Sequence, residues 1–403
     1  MIVLTEYENR TIKADASLIF FLGSFLLWGV AAFSPLLGFY CSLIYLAAQG
    51  FSLRILRLNV AIIAIISGSF IAASRNTLMV LGDDFNVNYY VYQLMQHGDS
   101  VFYHDFSGGI EFILPLYFKI IGFVFGIENP VYIFFAVTAL CLTLFYIWLE
   151  KYGLKNIEVD KRALCVAASL GLFVLFSTTQ LMRQMISTVF LLYALSLWFE
   201  RKKAPFIIFF ALAIFSHLSS LLLFFIITTL MGDNRYKKYM ILMISAGFVS
   251  LFTIFLSYVL GSNLLGAATY KFNYYASTEL SGFNLDSFFK FLVIMYCGAI
   301  LFREKANAKW NSLLVYGGAL YIIFLPLPLA SDRILMLMVS YLPGFLMFIA
   351  FYRGALAFKV ILIAFFTLKI LLLGPLYSGG ALEGMELWKS YPWFNKEFFY
   401  YLV

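Results

Sequence analysis

Seven ionisable side chains stand where an otherwise apolar chain has little use for charge: Arg75, Asp83, Asp84, Arg183, His217, Asp332 and Arg333. Their types define a limited chemistry. A guanidinium is planar, stays protonated, and grips two phosphate oxygens at once. Three of them, Arg75, Arg183 and Arg333, suit a polyanion such as a diphosphate. Carboxylates and an imidazole can carry a proton to or from a reacting hydroxyl. Together they form a constellation for group transfer from a phosphate leaving group. Asp84 is the first candidate to activate an acceptor hydroxyl, with Asp83 and Glu111 in reserve. Asp84 equally suits the N-cap of the segment FNVNYYVYQLMQ that follows it. His217 either binds diphosphate or shuttles a proton, or else is a structural histidine bonded to a neighbouring helix. Each arginine has the alternative of an interfacial, snorkelling side chain or a structural ion pair. Gln184, Glu111 and Tyr89 are secondary substrate-binding candidates.

The elements that must hold these residues follow from composition. The chain has 403 residues, 63% of them hydrophobic and 12% charged, against roughly 45–50% and about 25% in soluble domains. Its mean hydropathy is +0.90. So few charges cannot cover a soluble surface, so lipid is the main solvent. A soluble enzyme, a nucleic-acid module and a disordered regulator are excluded. The expected class is an all-α, polytopic integral membrane bundle, a single domain over residues 1–403. The net charge of +7 reads as topology, because Lys and Arg collect in cytoplasmic loops. The opening MIVLTEYENRTIKADA precedes a long apolar stretch with no A-x-A-like cleavage signal, so the first hydrophobic segment is expected to be a retained helix.

Basic breaks at 151–162, 200–203, 232–238 and 303–309, with Arg54, Arg57 and Arg353, are assigned to the cytoplasm. Each stretch between two such breaks then crosses an even number of times. Residues 163–199 should reverse near Ser177–Gln184, 311–352 at Ser331–Arg333, and 239–302 through an outer loop at about 261–286. Residues 17–49 read as two helices divided by Pro35, 58–74 as a third, and 111–126 as a dipping or amphipathic helix. The count is 13 crossings, with 11 to 14 acceptable, N-terminus in and C-terminus out. A long outer loop is expected at about 75–110. The stretch 204–231 must cross twice within about 28 residues. Each arm then reaches only roughly 21 Å of a hydrocarbon layer of roughly 30 Å. Its polar tip SHLSS (216–220) should therefore lie within the membrane thickness, covered by protein or lining a wet cavity. With this topology the seven ionisable residues all fall on the outer face.

Cys41, Cys141, Cys165 and Cys297 lie far apart in apolar runs, which implies neither a disulfide framework nor a thiolate site. His97, Asp99, His104 and Asp105 match no standard metal spacing, and no metal or other cofactor is expected. Tyr270, Phe272, Tyr274 and Tyr275 either stack on sugar faces or belong to the interfacial tyrosines common in membrane proteins. The C-terminal WKSYPWFNKEFFYY (388–401) reads as an interfacial belt.

The order of these features resembles bacterial polysaccharide polymerases of the O-antigen polymerase (Wzy) family, particularly its EpsG-like branch. SRNTLMVLGDDFNVNYYVYQ (74–93) resembles the family's Arg…Gly-x-Asp…Tyr signature, and GGIEFILPLYFKIIGFVFG (108–126) its next element. The closest match is 181–223, with the pair Arg183-Gln184, the basic break ERKK and the His-x-Ser tip. SDRILMLMVSYLP (331–343) resembles the late arginine-containing helix. Gly82 follows Arg75 by seven residues, where the family usually has five, and the doubled Asp83-Asp84 leaves two candidates for its carboxylate.

The resemblance implies a multi-pass glycosyltransferase related to the GT-C class, in the bacterial inner membrane with its active site facing the periplasm. It would polymerise undecaprenyl-diphosphate-linked oligosaccharide repeats, moving the growing glycan onto the non-reducing end of a new repeat for O-antigen or a related surface polysaccharide. Implied partners are the lipid-linked oligosaccharides, membrane lipid and, as a further candidate, a chain-length regulator protein; nucleic acid is not among them. Two other functions compete. An O-antigen ligase-like transferase would carry a larger late outer loop rich in Arg and His. A lipid-linked oligosaccharide flippase or exporter would carry charges on both halves of the bundle and pseudo-symmetric repeats.

Overall fold

A computed structural model describes residues 22–50, 53–75, 84–125, 129–262, 288–302, 304, 307–327, 330–373 and 397–402. Among them regular structure is entirely helical, with no strand. Four helices are long and apolar enough to span a bilayer: α3 (Arg54–Ala73), α6 (Pro130–Lys151), α9 (Met182–Phe199) and α18 (Ala355–Leu373). At 1.5 Å per residue the 20 residues of α3 extend about 30 Å, one hydrocarbon thickness. Shorter apolar helices cover residues 22–33, 35–48, 113–123, 203–216, 219–231 and 288–302. This is a polytopic helical membrane protein.

By their contacts the helices group into two compact units. The first takes Met1–Val101, Leu114–Met182 and Leu356–Val403. It holds α1 (Leu22–Phe33), α2 (Pro35–Ala48), α3, α4 (Asp84–Gln96), most of α5 (Ile113–Phe125), α6, α7 (Arg162–Gly171), α8 (Leu175–Gln180) and α18. Pro35 divides α1 from α2 as expected: it occupies the first turn, where its missing N–H costs nothing, and the extended Ser34 caps that turn by accepting from the Leu37 N–H. α2 packs on α3 and α7, and α3 on α6. The approach is close because small residues meet; a Cβ added to Gly38 would lie 2.6 Å from Ser67 Oγ of α3. The long loop expected at about 75–110 contains α4, a 13-residue helix. α5 also has 13 residues.

Basic residues gather at one end of this unit. Arg57 donates from Nε and Nη2 to the two oxygens of Glu150, both at 2.9 Å. That contact brings the first turn of α3 to the last turn of α6. Lys359, near the start of α18, donates to Ala48 O at the end of α2 at 2.6 Å. At the opposite end the 397–402 segment of the C-terminal belt docks: Phe399 N–H donates to Ala32 O and Tyr401 OH to Ala31 O.

The second unit takes Phe102–Ile113 and Arg183–Ala355. It holds nearly all of α9, then α10 (Lys203–Ser216), α11 (Ser219–Met231), α12 (Arg235–Ser262), α13 (Phe288–Phe302), α14 (Ala308–Ser312), α15 (Gly318–Phe324), α16 (Ala330–Ile334) and α17 (Pro343–Ala350). α10 and α11, of 14 and 13 residues, form the short hairpin expected from the sequence. Phe210 packs on Phe224, about equally far from the break at His217, so the arms lie side by side. The reversal expected at Ser331–Arg333 comes earlier. Pro326 ends α15, and α16 already begins at Ala330, so Asp332 and Arg333 sit in the returning arm. The outer loop expected at about 261–286, with its tyrosines, lies almost wholly outside the described residues.

Candidate active site

His217 is where the hairpin turns. Ser216 Oγ donates back to Leu212 O, and His217 adopts an extended backbone (φ −162°, ψ 120°) that stops α10. Leu218 then starts α11 with a backbone N–H that the helix cannot satisfy. Glu111 satisfies it: Leu218 N–H donates to Glu111 Oε1 at 3.0 Å, and His217 Nδ1 lies 3.0 Å from the same oxygen. A carboxylate at a helix N-terminus is also favoured by the helix dipole. The other oxygen, Oε2, accepts from Arg183 Nη1 at 2.5 Å.

Glu111 is delivered by a tight turn. Ser107, Gly108 and Gly109 all have positive φ, at 53°, 70° and 86°. A Cβ at Gly109 would lie 3.1 Å from Phe102 O, so glycine is required there on two counts. The same turn presents Phe106, whose ring lies beneath the Arg183 guanidinium at 3.9 Å from centroid to Cζ. Arg183 is thus held by a carboxylate at its edge and an aromatic face. The Glu111 side chain is 2% exposed, while Arg183 and His217 are each 29% exposed.

Burial would raise the Glu111 carboxyl. The hydrogen bonds from His217 and the Leu218 N–H, with the charges of His217 and Arg183, outweigh it and hold it down at about 2. Glu111 is therefore an anion at neutral pH with both oxygens committed to the protein. In the neutral tautomer that keeps Nδ1–H on this carboxylate, the lone pair is on Nε2. Among the described residues Nε2 has no hydrogen-bond partner, and the remaining Arg183 N–H groups have no acceptor.

Gln184 and Arg333 belong to the same unit. Gln184 is buried and donates from Nε2 to Arg333 O at 2.5 Å, and Tyr341 OH donates to Met185 O at 2.8 Å. These bonds tie the arm that carries Arg333 to the first turn of α9. Ser187, one turn beyond Arg183, donates to Ala213 O at 2.8 Å and pairs with Ser220 Oγ, pinning α9 across the hairpin.

Arg75, Asp84 and Tyr89 belong to the first unit. Arg75 is 2% exposed. It donates from Nη1 to Thr179 O at 3.0 Å, and its guanidinium lies 5.1–5.9 Å from the ring centroids of Phe85, Phe134 and Phe176. Asp84 is the first residue of α4, half-buried, and Tyr89 stacks between Phe85 and Tyr92 on that helix. Asp83 lies outside the described residues. Phe106, the Ser107–Gly109 turn and the Leu218 N–H were not singled out from the sequence; the Gly-Gly pair just before Glu111 was the available signal.

The EpsG family profile matches residues 58–377, about four fifths of the chain. The chain belongs to the EpsG family. Every site residue named above, in both units, falls inside that match. Searches of curated proteins and of solved structures each returned no match. EpsG-family membership points to a polysaccharide-polymerase-like role. In the second unit the buried Glu111 carboxylate holds Arg183 and His217 at one point.

Proposed function

We propose that the chain is a lipid-diphosphate-dependent glycosyltransferase that polymerises undecaprenyl-diphosphate-linked oligosaccharide repeats. It faces the periplasmic side of the bacterial inner membrane. In each cycle a hydroxyl oxygen on the non-reducing sugar of one repeat attacks the anomeric carbon of the glycan carried by another. The bond from that carbon to the diphosphate oxygen breaks with its electron pair, and undecaprenyl diphosphate leaves. The hydroxyl proton passes to a base.

The observation that carries this reading is the Glu111-centred pair of Arg183 and His217. Arg183 meets the leaving diphosphate, where charge grows in the transition state and preorganised donors act most strongly. His217 Nε2 accepts the hydroxyl proton, and Asp84 is the alternative base. Glu111 is a positioning residue, since neither of its oxygens is left for substrate. Arg333 is a second diphosphate contact and Gln184 its tether. For Arg75 the enclosed guanidinium favours a role in joining α3, α4 and α8. The periplasmic orientation is supported by Lys203, Lys238, Lys309 and Arg353 lying towards the end of the second unit away from His217.

The test is reconstitution. Purified protein given undecaprenyl-diphosphate-linked repeats should form a polymer ladder. A product appearing only on a lipid A-core acceptor would indicate a ligase instead. Repeats moved across a vesicle membrane without growth would indicate a flippase.

A further inference from the structure

The second unit has a cavity of about 730 Å³ at the end of α11 away from His217. It is lined from three sides of the bundle: Arg235 and Lys238 at the start of α12, Lys309 and Asn311 on α14, and Arg353 after α17. Its acids do not balance its bases. Glu304 is occupied by Arg353, whose Nε donates to Oε2 at 2.8 Å. That leaves Asp233 against Arg235, Lys238 and Lys309, none of which makes an ion pair among the described residues.

Lys238 is the unusual member. It is 5% exposed, and its ammonium donates to Ser312 Oγ at 2.5 Å and lies 4.8 Å from the centre of the Tyr316 ring. Among the described residues Asp233 is the one carboxylate near it that is not already paired, and it makes no ion pair with this ammonium, so a further anion would offset the cost of burying the charge. Beside it Asn311 donates to Glu304 O, while its own Oδ1 is buried with no hydrogen-bond partner. The cavity thus combines an excess of cations with a buried acceptor lacking a donor. Its wall also includes Ile300 and Leu301, 82% and 69% exposed, so apolar surface of the kind acyl chains cover adjoins the charge.

We propose that this cavity binds a phosphate diester carrying a free hydroxyl, the chemistry of a glycerol-type anionic phospholipid head group. The phosphate sits among Lys238, Arg235 and Lys309, the hydroxyl donates to Asn311 Oδ1, and the acyl chains run over Ile300 and Leu301. The same phosphate chemistry could come from a soluble compound, which the test separates.

The purified, delipidated full chain in detergent is titrated with dioleoyl phosphatidylglycerol, dioleoyl phosphatidylcholine and inorganic phosphate, with bound lipid counted by native mass spectrometry. Phosphatidylglycerol should bind in preference to phosphatidylcholine. Each removed cation near a head group is worth about a fivefold loss of affinity. Arg235→Gln with Lys309→Gln, both exposed and outside the packed core, should therefore weaken it by about twenty-fivefold. Lys238→Gln alone should weaken it by at least about fivefold. Lys237→Gln, an exposed neighbour that does not line the cavity, should leave it unchanged. Displacement of the lipid by millimolar inorganic phosphate would keep the phosphate site and assign it to a soluble ligand. Equal binding of the two lipids, or an equal loss in the Lys237→Gln control, would overturn the proposal.

Discussion

Glu111 Oε2 accepts a hydrogen bond from Arg183 Nη1 at 2.5 Å, joining a loop to the first turn of a helix 72 residues later. The same carboxylate turns its other oxygen to His217 and to the first free N–H of α11. One buried anion therefore fixes an arginine, an imidazole and a helix end. Such a hub gives a definite set of consequences.

Removing the charge of Glu111 should be costly in both stability and activity. Glu111→Gln leaves Arg183 and His217 without their anion, and breaking a buried pair of this kind costs about 3–5 kcal/mol. Thermal unfolding of the purified variant should shift down accordingly. Glu111→Asp, which keeps charge but shortens the reach, should recover part of the stability and little of the polymer. A Glu111→Gln protein with wild-type stability would show that the hub is not a structural anion.

Acidity should dismantle the hub in a defined window. The folded carboxyl is held at about 2, below its ordinary value near 4.3. A depressed carboxyl contributes stability above the unfolded value and loses it as pH falls through the folded one. Here that contribution is roughly 3 kcal/mol. Amide exchange at Leu218, corrected for intrinsic rate, should stay slow at pH 5 and quicken between about pH 4 and pH 2. In Glu111→Gln it should already be fast at pH 5.

Arg183 should matter through the shape of its charge. Arg183→Lys keeps the cation but loses the fork and the stacking on Phe106, so little polymer should form. Arg183→Ala should lose about 10²–10³-fold in rate. Polymer-length profiles at matched protein level would decide it. Wild-type ladders from the alanine variant would leave Arg183 with an anchoring role only.

Proton transfer distinguishes His217 from Asp84. If His217 Nε2 is the base, His217→Gln should lower turnover by about 10²–10⁴-fold while donor binding persists. Asp84→Asn should then cost far less and act mainly through the start of α4. The reverse ranking in single-turnover assays would transfer the role to Asp84.

Arg75 should behave as a structural residue. Its guanidinium lies within 6 Å of the centroids of three aromatic rings and bonds Thr179 O. Arg75→Ala should reduce accumulation and lower the unfolding temperature, while the protein that does fold keeps its KM for the lipid-linked donor. A raised KM in a stable variant would place Arg75 at the substrate.

The membrane class, the helix-dividing Pro35 and the short α10–α11 hairpin were all legible in the sequence, because each depends on neighbours along the chain. Hydrophobic runs set where helices form, proline removes a donor at a known place, and 28 residues between two basic breaks cannot make two full crossings. The order of Arg75, Arg183, Gln184, His217 and Arg333 was legible too, and it led to the family. What each charge touches was not. Glu111 stood in the sequence as a reserve base, yet its partners lie 72 and 106 positions away. Arg75 carries the same charge as Arg183, and only the fold surrounds one with phenyl rings and leaves the other partly open. Periodicity and composition report local geometry. The partner of a buried charge depends on which distant segments pack around it, and that is decided only when the chain closes.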